Sequence, residues 1–282
     1  MEAINDYFEI FDFYGLPLLL IAFVTLFILE CFFPFRREEN RSWKRIMLNL
    51  GIVFTVVPTF RLLLIPALTA IAQWTEAARF GVFNIINLPV WLKCLITFLL
   101  LDYFNYAWHQ LKHELNFLWR FHQVHHFDNQ MDITTSGRFH IGELVFAVFY
   151  HGGLILITGV NPVVVLIYQL IFEMATQFHH SNIYIPLRLE KFLRKLIITP
   201  SLHAIHHQLI DNEEGSNFGI VFSFWDKLHK TLKTGDENLI IQTDPLLVNE
   251  VKVQSFFTLL AMPFTKLKRK KRIVATPVKF EI

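Results

Sequence analysis

Charge is what this 282-residue sequence has least of. Charged residues make up 18% of it and apolar residues 53%, whereas soluble globular domains carry roughly 25% charge. That shortage leaves too little polar surface to wet an ordinary globule, and the same counts exclude disorder, collagen and a coiled coil. The formal net charge is only +2, so a general polyanion binder is excluded and no nucleic-acid partner is expected. Cysteine is nearly missing. Cys31 and Cys94 both fall inside apolar runs, which excludes a disulfide framework and any thiolate-rich metal or iron–sulfur site. Also absent are glycine-rich nucleotide loops, a Gly-x-Ser-x-Gly elbow and internal repeats. The zinc-protease pattern His-Glu-x-x-His fails too, because His113-Glu114 is followed three residues later by Phe117.

What the chain does have is long apolar runs. Mean hydropathy is +0.39. Runs able to span a bilayer, which takes about 20 residues per helix, cover 15–33, 46–72, 88–106 and 143–178. The first is too long, and its N-terminal flank too acidic, for a cleaved signal peptide. The second contains Pro58, Pro66 and Arg61, whose long side chain is expected to snorkel to the far interface. The fourth is broken at Gly159-Val160-Asn161-Pro162 and reads as two helices folded back on each other. Basic residues between Arg36 and Arg45 place that loop in the cytoplasm by the positive-inside rule. The basic run from Lys266 to Arg272 agrees, and reads as a solvated or headgroup-facing tail.

Histidine is the residue in excess. Of 13, 12 lie between His109 and His207. His109-x-x-x-His113, His122-x-x-His125-His126 and His203-x-x-His206-His207 repeat spacings of three and four, which put imidazoles on one helical face a turn apart. One such pair is common by chance and says little. Three groups in a chain this poor in polar residues call for metal, because so many polar rings are costly to bury otherwise. About nine histidines suit two ions with four or five ligands each, and imidazole suits Fe, Zn, Cu and Ni.

The fold expected is an all-α integral membrane protein. It has about four membrane helical regions, the last a helical hairpin, and a cytosolic helical cap carrying a histidine-rich dimetal site. The chain 1–282 reads as one membrane domain. Within it, N-terminal transmembrane helices cover 15–108. A histidine-rich catalytic region covers 109–232 and includes the membrane hairpin 143–178, and a basic C-terminal tail covers 233–282.

Residues 102–232 resemble the membrane-bound fatty acid hydroxylase/sterol desaturase superfamily in motif order and spacing. Asp102-Tyr103 precedes Trp108-His109-x-x-x-His113, and Trp119-Arg-Phe-His122-x-x-His125-His126 follows. Then come Thr134-Thr135, Arg138-Phe-His140-x-x-Glu143 and Gln177-Phe-His179-His180-Ser181-Asn182. Thr199-Pro200-Ser-Leu-His203-x-x-His206-His207, Asp211, Asn217-Phe-Gly219 and Trp225-Asp226 complete the series. The resemblance implies an O₂-dependent non-haem di-iron oxidoreductase that hydroxylates or desaturates C–H bonds of a lipid such as a sterol, fatty acyl chain or ether lipid. It implies His109, His113, His122, His125, His126, His180, His203, His206 and His207 as both metal ligands and catalytic residues.

His179, His140, Asp211 and Asp226 are expected to support that set without joining it, with Arg138 and Glu143 bracing His140. Asp102, Asp128, Asp211 and Asp226 are expected to orient imidazole N–H groups. His151 and His229 read as structural, and Phe218 stands where the family commonly has Tyr, at the expense of one hydrogen bond. The implied cofactors are two Fe ions, which Zn can replace in preparations, with O₂ as co-substrate and an external reductant. The implied partners are a membrane lipid substrate and a separate electron donor, whether cytochrome b5-like, a ferredoxin or a reduced pterin, since no haem domain is fused to the chain. The expected location is multi-pass in a membrane with the active site on the cytoplasmic side. The alternative reading is a histidine-rich membrane protein that binds or transports metal.

Overall fold

The computed structural model describes residues 11–36, 42–128, 130–207, 215–234 and 255–265. Asp211 and the basic run 266–272 lie outside the described residues. Among the described residues there are helices and two isolated bridges, Pro34 with Ile183 and Ile197 with Phe222, but no strand. In lipid every backbone N–H and C=O must be paired within its own segment, which a helix does and an open strand does not.

The first helix, α1 (Leu16–Phe32), follows a wide turn, Phe11–Gly15, and carries Pro17 in its first turn, where a missing N–H costs nothing. It shows lipid-compatible side chains such as Leu20, Ile21 and Phe32 on its outside. One polar exception, Glu30, is buried and accepts the backbone N–H groups of Ile133 and Asn182, each at 3.1 Å. Helix α2 (Trp43–Thr59) is capped by Ser42, then widens into a π turn at Phe60–Leu64 and continues as α3 (Ile65–Ala77). Pro58 removes one ladder hydrogen bond just before that widening. The run therefore continues past the expected end at residue 72. Arg61, in the π turn, makes an ion pair with Asp12 at the start of the first span, so its charge is held by a partner instead of relying on reach alone.

After the short α4 (Val82–Ile85), α5 (Val90–Glu114) extends an apolar span by more than two turns, so that His109 and His113 ride rigidly on it. Helix α6 (Asn116–His126) carries the second histidine group. A 3₁₀ turn, Ile133–Gly137, leads to α7 (Ile141–Thr158) and α8 (Pro162–His180). Their connection is built by Gly159 in the left-handed conformation (φ 69°) and by Asn161, whose side chain caps α8 through Val163 N–H at 2.9 Å. Short helices α9 (Leu187–Leu193), α10 (Pro200–His206), α11 (Phe224–His229) and α12 (Phe256–Ala261) complete the chain.

Four segments are long and apolar enough to cross a membrane: Phe11–Phe32, Trp43–Ile85, Val90–Glu114 and Ile141–Thr158. Helix α8 is not among them, since Gln169, Glu173, Gln177 and two histidines make it more polar than α7. Helices α3, α5, α7 and α8 pack together around Leu68, Leu101, Trp108, Ile155, Val165 and Tyr168.

Gly81 and Gly159 mark the tightest approach in this core. A Cβ on Gly81 would lie 2.5 Å from the Gly159 nitrogen, and one on Gly159 would lie 2.6 Å from the Phe80 carbonyl oxygen. The Asn84 amide ties the two turns by donating to the Phe80 and Gly159 carbonyls at 2.7 and 3.2 Å. Both glycines also need positive φ. Gly81→Ala or Gly159→Ala is expected to destabilise the fold by about 2 kcal/mol or more, read as a lower thermal unfolding midpoint in detergent. Gly153→Ala is the control, because nothing lies within 4 Å of the added methyl; equal midpoints for all three variants would contradict the close-approach account.

Candidate metal centre

The histidines gather where four helices end together. Helix α5 delivers His109 and His113, α6 delivers His122, His125 and His126, α8 ends on His179 and His180, and α10 with the residue after it delivers His203, His206 and His207. All nine expected ligands come together, in two groups. His109, His113, His122, His126 and His206 form one, and His125, His180, His203 and His207 form the other. In each group one nitrogen per residue lies within 4.8 Å of every other.

Helix geometry explains the division. The pairs 109/113, 122/126 and 203/207 are spaced i, i+4 and stay together on one face. Within each His-x-x-His-His motif the middle histidine, His125 or His206, is turned toward the opposite group. Each motif thus supplies both groups, and the groups touch: the His126 and His207 rings lie 4.3 Å apart.

Hydrogen bonds at the other ring nitrogens fix the tautomers. His109 Nδ1–H donates to the Phe218 carbonyl at 2.9 Å, His206 Nδ1–H to Ser216 at 2.7 Å and His180 Nδ1–H to Thr176 at 2.7 Å. A neutral imidazole that donates from Nδ1 keeps a bare lone pair on Nε2. The Nε2 atoms of His109 and His206 are buried with no hydrogen-bond partner. His180 Nε2 lies 3.0 Å from both His125 Nε2 and His203 Nε2, His203 Nε2 lies 3.1 Å from His207 Nε2, and His122 Nε2 lies 3.2 Å from His126 Nε2. An ion about 2.1 Å from each nitrogen, with angles near 90–100°, sets neighbouring ligand atoms roughly 3.0–3.2 Å apart. The spacing and the bare lone pairs both fit nitrogens that share cations, and the all-imidazole donor set suits iron or zinc.

Burial keeps these rings neutral. Outside the spans, His125, His126, His203 and His207 are all pushed well below the ordinary imidazole value, mainly by loss of water. His122 is lowered to about 4, by burial first and then by the nearby Lys112 charge, against the opposing pull of Glu143. His206 is lowered to about 3, by burial, with its bond to Ser216 opposing.

Several expectations about the supporting residues need correction. Asp226 touches no imidazole. It accepts Phe218 N–H at 2.7 Å and Gly219 N–H at 2.8 Å, and so shapes the loop whose carbonyls orient His109 and His206. A Cβ on Gly219 would lie 2.8 Å from the Asp226 carboxylate, which is why glycine is needed there. Asn217, at φ 54°, bonds Leu202 and Lys233 and fixes the same loop. Asp102 ties Tyr168, Trp225 and the backbone at 221–222 together, and Asp128 binds Arg45 and Asn49; neither reaches a histidine.

His140 is a helix cap. Its Nδ1 accepts from Gly142 N–H at 2.9 Å and its Nε2–H donates to Leu260 at 3.1 Å, so both ring nitrogens are used away from the centre. Glu143 does not brace it. Glu143 instead takes His122 Nδ1–H at 3.3 Å and Lys112 Nζ at 2.7 Å. Arg138 holds the carbonyls of Val124 and Phe127. His179 lies tilted beside His203 with ring centroids 4.0 Å apart, bonds the Ile220 backbone and belongs to neither histidine group. His151 is interior beside Trp108 and Tyr150, and His229 stacks on Tyr103 and Tyr106, both in structural positions. The sequence carries no direct signal for the orienting carbonyls of Ser216, Phe218 and Thr176, because every residue has one. The nearest hint was the Asn217-Phe-Gly219 turn.

A cavity of about 470 Å³ leads to this centre. It runs between Leu16, Leu20 and Phe23 of α1 at one side and His109, His122 and His180 at the other.

Two predictions follow from the geometry. Asp226→Asn replaces a carboxylate acceptor of one loop N–H with a donor, and is expected to weaken metal binding about 10- to 100-fold, measured by competition with a chelator; unchanged affinity would show that the loop does not set imidazole orientation. The second concerns pH. In the unfolded chain histidine titrates near 6.5, while folded His122 titrates near 4. The unfolded state thus binds more protons between these values, and stability falls as pH drops through that window. Chelator-treated protein should unfold at progressively lower temperature from about pH 7 to about pH 4, and a flat profile would contradict the neutral-imidazole account.

Comparison with known proteins places the centre among relatives. Residues 94–231 match the Fatty acid hydroxylase family model and contain all nine grouped histidines. Similar proteins include an ornithine lipid hydroxylase of Rhizobium tropici, 27% identical over 67% of this chain and 55% of its own length. Human alkylglycerol monooxygenase is 24% identical over 90% of this chain and 54% of its own. Human cholesterol 25-hydroxylase is 25% identical over 51% of each. The chain spans about half the length of the curated relatives it matches. No solved structure matches it. The family match over residues 94–231 and these relatives together support placing the chain in the fatty acid hydroxylase superfamily.

Proposed function

We propose that this protein is a multi-pass membrane oxygenase that hydroxylates an unactivated C–H bond of a lipid, at two iron ions held by the five- and four-histidine groups. The observation that carries the reading is the apolar cavity, which connects the face of α1 directly to the two groups of neutral imidazoles. The similar proteins are named as lipid and sterol hydroxylases or monooxygenases, which favours hydroxylation over desaturation. The active side is assigned to the cytoplasm on the positive-inside pattern, with 143–178 as a hairpin returning to that side.

The balance is R–H plus O₂, two electrons and two protons giving R–OH and water. Bound iron would supply O₂ activation. The protein's own residues do the rest. His109, His113, His122, His126 and His206 would hold one ion, and His125, His180, His203 and His207 the other. The loop at 216–219 and Glu143 keep the imidazole lone pairs aimed inward. Leu, Val and Phe side chains along the cavity exclude water from the reacting carbon and guide an acyl or alkyl chain to it. The electrons come from an external reductant of the cytochrome b5, ferredoxin or reduced-pterin type. A metal transporter would be expected to place ligands near the midplane of broken helices. These histidines lie instead at the ends of α5, α6, α8 and α10, which favours the oxygenase.

The test is reconstitution of the full chain with ferrous iron, followed by O₂, reductant and a lipid panel, with products read by mass spectrometry. A hydroxylated lipid and about two irons per chain are expected. His125→Ala and His206→Ala, which remove one ligand from opposite groups, should each lower iron content toward one and cut product at least about 100-fold. Metal uptake into vesicles with no oxidised lipid would sink the oxygenase reading.

A further inference from the structure

The cavity is apolar along most of its length, but α8 lays a polar stripe along one wall. Gln169, Glu173, Thr176 and His180 follow each other at four, three and four residues, on one helical face. All four line the cavity. His180 belongs to one histidine group, so the stripe runs from the centre back along the cavity. Seven residues, or roughly 10 Å of helix rise, separate Glu173 from His180.

These groups have capacity to spare. Thr176 lines the cavity and is 3% exposed, and its hydroxyl is buried without a hydrogen-bond partner. The Gln177 side-chain oxygen is in the same state one residue on. Among the described residues, Glu173 has one hydrogen bond, a long 3.5 Å contact from the Gln169 amide, and no cation beside it. The Thr176 carbonyl is already engaged by His180, so what the stripe offers the cavity is side-chain chemistry. Buried polar groups are normally paired, and leaving one unpaired costs about 1–3 kcal/mol. A purely hydrocarbon ligand would leave the Thr176 hydroxyl and the Gln177 oxygen unsatisfied, and the Glu173 carboxyl with only its long contact from Gln169.

We propose that Gln169, Glu173 and Thr176 form a polar subsite that takes the hydroxyl groups of a lipid headgroup, and so fix which carbon of the attached chain reaches the histidines. The inference rests on the reading of the cavity as a lipid site. A hydroxyl both donates and accepts, and matches a carboxyl, an amide and a threonine hydroxyl set side by side. An ammonium headgroup would instead bring a bare ion pair into an apolar cavity, where desolvation works against it. A lipid held by its hydroxyls at Glu173 places the part of its chain roughly 10 Å further along against His180. Position along the chain is then selected by distance from a headgroup.

The test uses the full chain in phospholipid nanodiscs and equilibrium binding, which needs no turnover. Tritiated hexadecylglycerol is the probe, competed by its dimethyl ether and by hexadecylamine. Wild type should prefer the diol over the dimethyl ether by about tenfold. Glu173→Leu and Thr176→Val should each bring the ratio to about twofold or less, while Glu173→Gln, which still donates and accepts, should retain most of it. Equal affinity for diol and diether in wild type overturns the proposal, and so does an unchanged ratio in both apolar variants. Tightest binding of hexadecylamine, lost in Glu173→Gln, overturns it in favour of an ammonium site. A preserved diol preference with no oxidised lipid defeats the oxygenase reading and leaves the subsite standing. Oxidised lipid with no diol preference defeats the subsite alone.

Discussion

Nine imidazoles packed into a dry interior can coexist only if they stay neutral, and a ring whose outer N–H is engaged aims its remaining lone pair inward. Much of the surrounding structure answers that constraint. Loss of water holds the rings uncharged, and the Nδ1 protons of His109, His206 and His180 are taken by backbone carbonyls. His122 is the exception, with a carboxylate partner in Glu143, and the charge that Glu143 brings is matched by Lys112. With the outer nitrogens of His109, His122, His180 and His206 committed, their Nε2 atoms face inward, and the nine rings gather in two sets whose spacings suit shared cations.

Carbonyls are effective orienting groups only if their own backbone is fixed. That requirement explains the concentration of polar side chains in the segment after α10. Asp226 holds two successive N–H groups of the loop, and Asn217 closes it against Leu202 and Lys233. Asp102 then ties this region to α5 and α8 through Trp225 and Tyr168. The acidic residues therefore act one step removed from the imidazoles, through backbone. On the other side, Glu30 of α1 holds the backbone of Ile133 and Asn182. The first span is thereby fastened to the segments flanking the centre.

The same helices carry both lipid-facing and histidine-bearing surfaces. Helix α5 is one rigid rod from Val90 to Glu114, so its apolar length and its two grouped histidines cannot move independently. Helix α8 carries the grouped His180 at its end and a polar stripe along the cavity wall. The apolar cavity and the histidine groups thus share one framework.

Much of this was legible from sequence. The apolar runs and the break at Gly159-Val160-Asn161-Pro162 marked the helices, because hydropathy and turn chemistry are local properties. The histidine spacings marked the clusters, because i, i+4 neighbours share a helix face wherever that helix goes. Both were determined by the chain alone. Only the tertiary structure decided that His125 and His206 face the groups opposite to those of their neighbours, since that depends on how α6 and α10 cross. It also moved His140 from the centre to a helix cap and Glu143 from His140 to His122. In place of Asp102, Asp128 and Asp226 it put the carbonyls of Ser216, Phe218 and Thr176, which no sequence pattern singles out. Residue types set which atoms are able to bind metal or lipid. The packing of distant segments set which of them meet, because a hydrogen bond or a shared ion is formed by positions in space and not by spacing along the chain.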